Sequence, residues 1–423
     1  MNINELYIYF LECEDISTDS RSVKKNSLFF ALKGDNFDGN KYALEALNKG
    51  AKYAIIDDSN LKNPNFIKVQ NVLNSLQELS TFHRIQLSKT KIIALTGSNG
   101  KTTTKELIHS VLSKKYKTVS TLGNLNNHIG VPLSLLKIKK DSNFAVIEMG
   151  ANHIGEIAFL TNLVKPDYGY ITNFGKAHLE GFGGIKGVIK GKTELYNWLI
   201  ENKKPILINS DDKIQKKFTN SKSILFGKKI QSQFVFKEFN EDFVSVGYNE
   251  HNIKSKLIGG YNFSNIIAAI SFGLYFKIDI KSIQNAIENY TPKNNRSEVL
   301  NTKDKKIILD AYNANPTSMR LAIDSFFKLS GSKALILADM LELGVYSNDE
   351  HLEIINHLEK ENTGKTYLVG EEFYKLKKES NSISFYKTKN ELILEISNNK
   401  ILEKNILIKG SRAMKMEELI NLI

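Results

Sequence analysis

Apolar residues fall along this chain in short runs separated by turn-forming residues, and helical spacing appears between the runs. Ser27-Leu28-Phe29-Phe30-Ala31-Leu32 predicts a strand, and Lys33-Gly34-Asp35 and Asp38-Gly39-Asn40 predict turns. Tyr42, Ala43, Ala46 and Leu47 mark a helix closed by Gly50, after which Tyr53-Ala54-Ile55-Ile56 returns as a strand. A second series opens at Ile92-Ile93-Ala94-Leu95, a buried strand that turns through Gly97 and Gly100 into a helix. Leu107, Ile108, Val111 and Leu112 form the apolar face of that helix. Further strands are predicted at Phe144-Ala145-Val146-Ile147, ending in Glu148, at Tyr168-Gly169-Tyr170-Ile171-Thr172, ending at Asn173, and at Pro205-Ile206-Leu207-Ile208. A helix carrying Lys190, Lys192 and Glu194 lies before the last of these. From Phe234 to Tyr248 the alternation around Asn240-Glu241-Asp242 predicts an antiparallel hairpin, and an apolar helix is expected to start at Ile266.

The stretch Thr291-Pro292-Lys293-Asn294-Asn295-Arg296 is the clearest linker signal. Beyond it, Ile307-Ile308-Leu309 ends in Asp310, Ala334-Leu335-Ile336-Leu337-Ala338 in Asp339, Tyr367-Leu368-Val369 in Gly370, and Ile406-Leu407-Ile408 in Lys409. Strands alternating with helices imply mostly parallel sheets, and there is no internal repeat. The expected organisation is α/β in three domains, residues 1–88, 89–292 and 293–423.

The sharpest chemical signal is Thr96-Gly97-Ser98-Asn99-Gly100-Lys101-Thr102-Thr103. Two glycines between a strand and a helix let the backbone curl so that successive N–H groups converge at a helix N-terminus, a ready anion site. Lys101 adds a positive charge for phosphate oxygens, and the Thr102 hydroxyl is placed for a magnesium ion bridging them. The pattern is G-x-x-G-K-T; the longer general motif wants glycine at position 95, where Leu95 stands. Ligands of open parallel sheets lie beyond the carboxyl ends of strands. Glu148 sits at such an end, as a metal-holding carboxylate or a helix cap. His178, after another, is either a metal ligand or a satisfied core histidine. Thr18-Asp19-Ser20-Arg21 is a solvated turn or a binding cluster.

Composition narrows the classes. The chain has 423 residues, and Lys+Arg 58 against Asp+Glu 46 gives a net charge of +12. The cations are dispersed, mostly lysines, without an arginine–aromatic stripe. They favour anionic small molecules over nucleic acid. Cys13 is the single cysteine, which excludes an intramolecular disulfide. No apolar run approaches membrane-spanning length and the N-terminal stretch lacks a signal-peptide pattern, so a cytoplasmic protein is expected.

At this point the chain resembles the Mur ligases, ATP-dependent amide-forming enzymes of peptidoglycan precursor synthesis. The phosphate loop is similar to the short form of that family. Asn126-Asn127-His128-Ile129-Gly130-Val131-Pro132, Glu148-Met149-Gly150-Ala151, Asp310-Ala311-Tyr312-Asn313-Ala314-Asn315-Pro316, Asp339-Met340-Leu341-Glu342-Leu343-Gly344 with His351, and Lys409-Gly410-Ser411-Arg412 resemble one branch of it. Sister ligases and folylpolyglutamate synthetase carry a histidine-containing motif where this chain has Tyr312-Asn313-Ala314-Asn315-Pro316.

The resemblance implies a three-domain Mur ligase architecture with a central P-loop ATPase domain and a Rossmann-like C-terminal domain. It implies ATP and Mg2+ as cofactors and UDP-N-acetylmuramoyl-tripeptide and D-alanyl-D-alanine as partners; a monomer without nucleic acid and without membrane insertion is expected. Gly97, Ser98, Asn99, Gly100, Lys101, Thr102 and Thr103 would bind ATP phosphates, Asn262 and Asn265 lie near the adenine, and Arg296 reaches the nucleotide from the third domain. Thr102, Glu148, His178 and Lys192 would hold metal, with Lys192 carbamylated by CO2. Lys101, Lys192, His178 and Asp310 are the implied catalytic residues. Asp19, Ser20 and Arg21 match a uridine-nucleotide site, and Asn126, Asn127, Asn313 and Asn315 match substrate positions. Two departures stand in the first domain: Asn26 where the family usually has glycine, and Asn40 where it often has histidine.

Overall fold

In the computed structural model, which describes residues 1–239, 242–292, 295–361 and 364–423, three α/β units follow one another along the chain. The first is a four-stranded parallel sheet in the order Asp15–Ser17, Ser27–Phe30, Ala51–Ile56, Phe66–Lys68. The two turns expected after Leu32 close on each other as a short antiparallel pair, Lys33–Gly34 with Phe37–Asp38. Both departures from the family pattern find physical accounts here. Asn26 stands at φ +60°, in the left-handed region that glycine enters freely and asparagine tolerates. Asn40 is buried, and its carboxamide donates to Asp57 Oδ1 at 2.8 Å and accepts from the Asp57 N–H at 3.1 Å, pinning two loops together.

The first unit docks on the second through an apolar cluster joining Leu76 and Leu79 to Leu133 and Leu136 of the helix Gly130–Leu136. His83 stitches the same seam. Its Nε2–H donates to the Ile138 carbonyl at 2.8 Å, leaving Nδ1 to accept from the Tyr7 hydroxyl at 3.1 Å. Burial pushes its pKa down, which suits the neutral ring these two bonds require.

The second unit is built on a seven-stranded sheet, with strands in the order Phe234–Val235, Ile224–Gly227, Ile206–Asn209, Tyr168–Ile171, Lys91–Thr96, Phe144–Glu148, Thr118–Ser120, parallel throughout. The helix Lys101–Leu112 buries Leu107, Ile108, Val111 and Leu112 completely, packed beside the helix Tyr261–Tyr275. Each such side chain contributes about 1.5–3 kcal/mol of transfer free energy. Two expectations are corrected. Phe234–Val235 does not belong to a hairpin; it pairs in parallel with Ile224–Gly227, and Phe236 N–H still reaches the Gly227 carbonyl at 2.9 Å. Antiparallel pairing begins only at Lys237–Phe239 with Phe243–Tyr248, and Asn240 and Glu241 of the expected turn lie outside the described residues. The helix expected at Ile266 starts earlier, at Tyr261, because its polar first turn faces the phosphate loop rather than solvent.

The third unit is a six-stranded sheet in the order Glu298–Asn301, Lys306–Asp310, Asn405–Lys409, Lys333–Ala338, Lys365–Val369, Ile383–Tyr386. It is parallel except for the first, edge strand. Lys293 and Asn294 of the expected linker lie outside the described residues. A single buried apolar cluster runs from Ile92, Ile147 and Ile171 of the second unit to Met319, Ile323 and Leu343 of the third. The two units are thus held face to face.

Candidate active site

Register places the functional groups. Leu95 pairs with Glu148 on one side, and Thr96 pairs with Ile171 on the other. The phosphate loop therefore leaves its strand between Glu148 and the Thr172–Asn173 corner. Gly97 adopts φ +144°, and a Cβ there would lie 2.0 Å from Thr172 Oγ1. Gly100 adopts φ +77°, and a Cβ there would meet the Asn265 carboxamide at 2.5 Å. Both positions demand glycine for conformation and for space. The loop apex is clamped at Asn99: its N–H donates to Asn173 Oδ1 at 3.1 Å, and its carbonyl accepts from Asn173 Nδ2 at 2.9 Å and Thr172 Oγ1 at 2.6 Å.

The loop opens into a cavity of about 980 Å³. Of the residues expected at the site, Ser98, Asn99, Gly100, Lys101, Thr102, Thr103, Asn126, Asn127, Glu148, His178, Asn262, Asn265, Arg296, Asp310 and Asn313 line it. Residues of the second and third units share its walls. Gly97 stays behind the loop, and Lys192 and Asn315 stand just outside the lining. Asp19, Ser20 and Arg21 lie away from this cavity, in a turn of the first unit where Arg21 pairs with Asp19 at 2.7 Å.

Lys101 folds back over the loop, donating to the carbonyls of Gly97 at 2.8 Å and Ser98 at 3.1 Å. Burial pushes its pKa down, opposed by Glu148 and reinforced by Arg296. Glu148 is 1% exposed. Its Oε1 accepts from Asn126 Nδ2 at 2.8 Å, while its buried Oε2 has no hydrogen-bond partner. An orphaned carboxylate oxygen on a cavity that Thr102 also lines is a donor set suited to a hard cation such as magnesium. Among the described residues no three His, Cys, Asp or Glu converge as a metal cluster. A cation there would complete its shell with phosphate oxygens and water, as magnesium commonly does.

Lys192 is buried behind the Ala151 segment, donates to the Ala151 carbonyl at 3.0 Å and stands 5.0 Å from the Phe182 ring centroid. Burial holds its pKa well below the ordinary lysine range, and the Lys101 charge pushes the same way. A lysine inclined to the neutral amine is chemically competent to add CO2. His178, with φ +52°, bonds through Nδ1 to the Glu342 carboxylate of the third unit. Asn262 Oδ1 accepts from Asn265 Nδ2 at 2.9 Å, and Asn265 Oδ1 accepts from Thr104 Oγ1 at 3.0 Å, so the expected adenine pair is braced against the phosphate-loop helix.

In the third unit Asp310 and Lys409 end neighbouring strands in register and pair at 2.5 Å, and Ser297 N–H also donates to Asp310 at 3.1 Å. Arg296 lies over the Tyr312 ring, 3.5 Å from its centroid. Asn315 caps the helix Pro316–Phe327, and its Nδ2 donates to Asn99 Oδ1 at 2.7 Å. Asp339 and His351 are internal fittings. Asp339 accepts the N–H groups of Glu372 and Phe373 at 3.0 Å, and His351 Nε2 accepts from Met340 N–H at 3.1 Å.

The sequence signal missed Lys409 as the partner of Asp310 and Asn173 as the clamp of the loop. Both sit immediately at or after strand ends, which is where they were discoverable.

Three family models match consecutive stretches: "Mur ligase family, catalytic domain" over residues 12–88, "Mur ligase middle domain" over 95–273, and "Mur ligase, glutamate ligase domain" over 295–412. The chain is 32% identical to the UDP-N-acetylmuramoyl-tripeptide–D-alanyl-D-alanine ligase of Bacillus subtilis, covering 96% of this chain and 92% of that one. MurF from Acinetobacter baumannii superposes with a TM-score of 0.87 at 28% identity, over 99% and 98% of the two chains. The MurF ligase of Thermotoga maritima in complex with ADP superposes with a TM-score of 0.83 at 26% identity, over 98% and 97%. The chain belongs to the Mur ligase family, in the branch of the UDP-N-acetylmuramoyl-tripeptide–D-alanyl-D-alanine ligases.

Proposed function

We propose that this chain joins D-alanyl-D-alanine to UDP-N-acetylmuramoyl-tripeptide, driven by ATP, and yields the UDP-linked pentapeptide of peptidoglycan synthesis. The observation that carries this reading is the phosphate loop sharing one cavity with the orphaned Glu148 oxygen and with Asp310, Asn313 and Arg296 of the third unit. The ADP complex of the Thermotoga relative supports ATP as the nucleotide.

A carboxylate does not react with an amine at neutral pH. Transfer of the γ-phosphoryl group to the tripeptide carboxylate gives an acyl phosphate and ADP. The neutral amine of the dipeptide then attacks the acyl carbon to give a tetrahedral intermediate; its collapse breaks the C–O bond to phosphate, which departs with the electron pair, and the nitrogen releases a proton to solvent as the amide forms. Lys101 leaves its two loop carbonyls to meet the phosphates, and the N–H groups at the start of the helix Lys101–Leu112 bind their oxygens. Thr102 and Glu148 would hold magnesium, which supplies charge stabilisation when bound. His178 and a carbamylated Lys192 would serve as further metal ligands. Asn262 and Asn265 flank the base, Arg296 and Asp310 complete the nucleotide site, and Asn126, Asn127, Asn313 and Asn315 position the peptide substrates. Asp19, Ser20 and Arg21 receive the uridine nucleotide in the first unit.

The units proposed are residues 1–88, 89–292 and 293–423, acting as a cytoplasmic monomer, with the third closing over the second to keep water from the acyl phosphate. Among the described residues no helix is long and apolar enough to cross a membrane. The test is phosphate release from ATP and magnesium with the tripeptide substrate, offered D-alanyl-D-alanine or single amino acids. Release that needs the dipeptide supports the reading, and release with an amino acid alone overturns it.

A further inference from the structure

One buried cation of the phosphate-loop helix has no role in the chemistry described above. Lys105 follows Lys101 by one helical turn and is 1% exposed. Its Nζ lies 3.9 Å from Glu148 Oε2 and 3.9 Å from Glu106 Oε1. Glu106 is itself held by the Tyr290 hydroxyl at 2.6 Å, so the ammonium is fixed from behind. Burial pushes the Lys105 pKa down, and the two carboxylates oppose that push. The separation from Glu148 is informative. At 3.9 Å the ammonium balances the carboxylate charge in a medium where Coulomb attraction is strong, yet it is too far away to occupy the Oε2 lone pairs. Asn126 fixes Oε1 on the other side. A buried carboxylate with one neutral donor requires counter-charge, and the two cations of this helix, Lys101 and Lys105, both supply it, Lys105 alone standing in ion-pair range of Oε2.

We propose that Lys105 is a positioning residue of the metal site, aiming the Glu148 carboxylate through its charge while leaving Oε2 open to a divalent cation. This inference rests on the assignment of Glu148 to that cation.

The test is Mn2+ titration, followed by electron paramagnetic resonance, of the full chain with ADP present, alongside ADP affinity without metal and thermal melting. Lys105→Met is expected to weaken Mn2+ binding roughly 10–100-fold, as loss of an outer-shell partner does, with metal-free ADP affinity unchanged. Lys105→Gln, which retains a polar end but no charge, is expected to do the same and serves if Lys105→Met does not fold. Lowered melting temperature with unchanged or tighter Mn2+ binding overturns the proposal, as does failure of both variants to fold, since each marks a purely structural lysine. Glu148→Gln is the reference arm. If it leaves Mn2+ binding intact, the metal assignment itself falls; if it weakens binding and the Lys105 variants do not, only the role of Lys105 falls.

Discussion

The cavity at the phosphate loop and the Asp19–Arg21 turn carry charged residues in opposite ways. Around the cavity, Lys105 and Lys409 are each 1% exposed, and Glu148, whose Oε2 lies 3.9 Å from Lys105, keeps that oxygen without a hydrogen-bond partner. In the turn, the Arg21 side chain is 85% exposed, and its bond to Asp19 holds that carboxyl down at about 2. Buried charges are costly unless another requirement keeps them, so their concentration around one cavity points to ligand chemistry. An exposed ion pair contributes little to stability and says little by itself. The two regions therefore differ in how far geometry supports the roles proposed for them.

That difference can be sharpened by experiment. Lys101→Ala is expected to have the largest effect, lowering kcat for phosphate release roughly a hundred- to a thousandfold, since a donor to the transferring phosphoryl group is lost. A change within a few-fold would break the phosphate-loop assignment. Lys192→Ala should lower activity by about tenfold to a hundredfold through loss of a metal ligand, and added acetate, which can enter the vacated space, should restore part of it. A variant equally inactive with and without acetate would count against a carbamate.

Asn315→Ala should cost about 1 kcal/mol through loss of a helix cap, read by urea unfolding. Combined with Asn99→Ala it should reveal a coupling of about 0.5–1.5 kcal/mol between the two units. Strict additivity would show that the amide pair across the units does not form in solution. Arg21→Ala should leave the melting temperature unchanged, because the pair is solvent-exposed on both sides. It should raise the KM for the UDP substrate without changing kcat. An unchanged KM would remove the turn from the binding site and widen the contrast with the cavity.

The chain alone determined the local pieces of this protein: the strand-to-helix glycine turn, the polar residues that follow strand ends, and the alternation that makes three α/β units. These are legible because each depends on backbone freedom or periodicity within a few residues. Even there, the parallel pairing of Phe234–Val235 and the early start of the Tyr261–Tyr275 helix escaped, because long-range packing overrode a local alternation and a polar first turn. Tertiary structure alone decided which polar groups meet. Asn99 finds Asn315 across 216 residues of sequence, Lys409 finds Asp310 across 99, and Lys105 finds Glu148 on the next strand. It also decided that Asp339 and His351 brace the third sheet internally while Glu148 keeps an open oxygen. No spacing rule encodes such partnerships. They follow from strand order and register, and those are set by how apolar faces from distant segments bury one another.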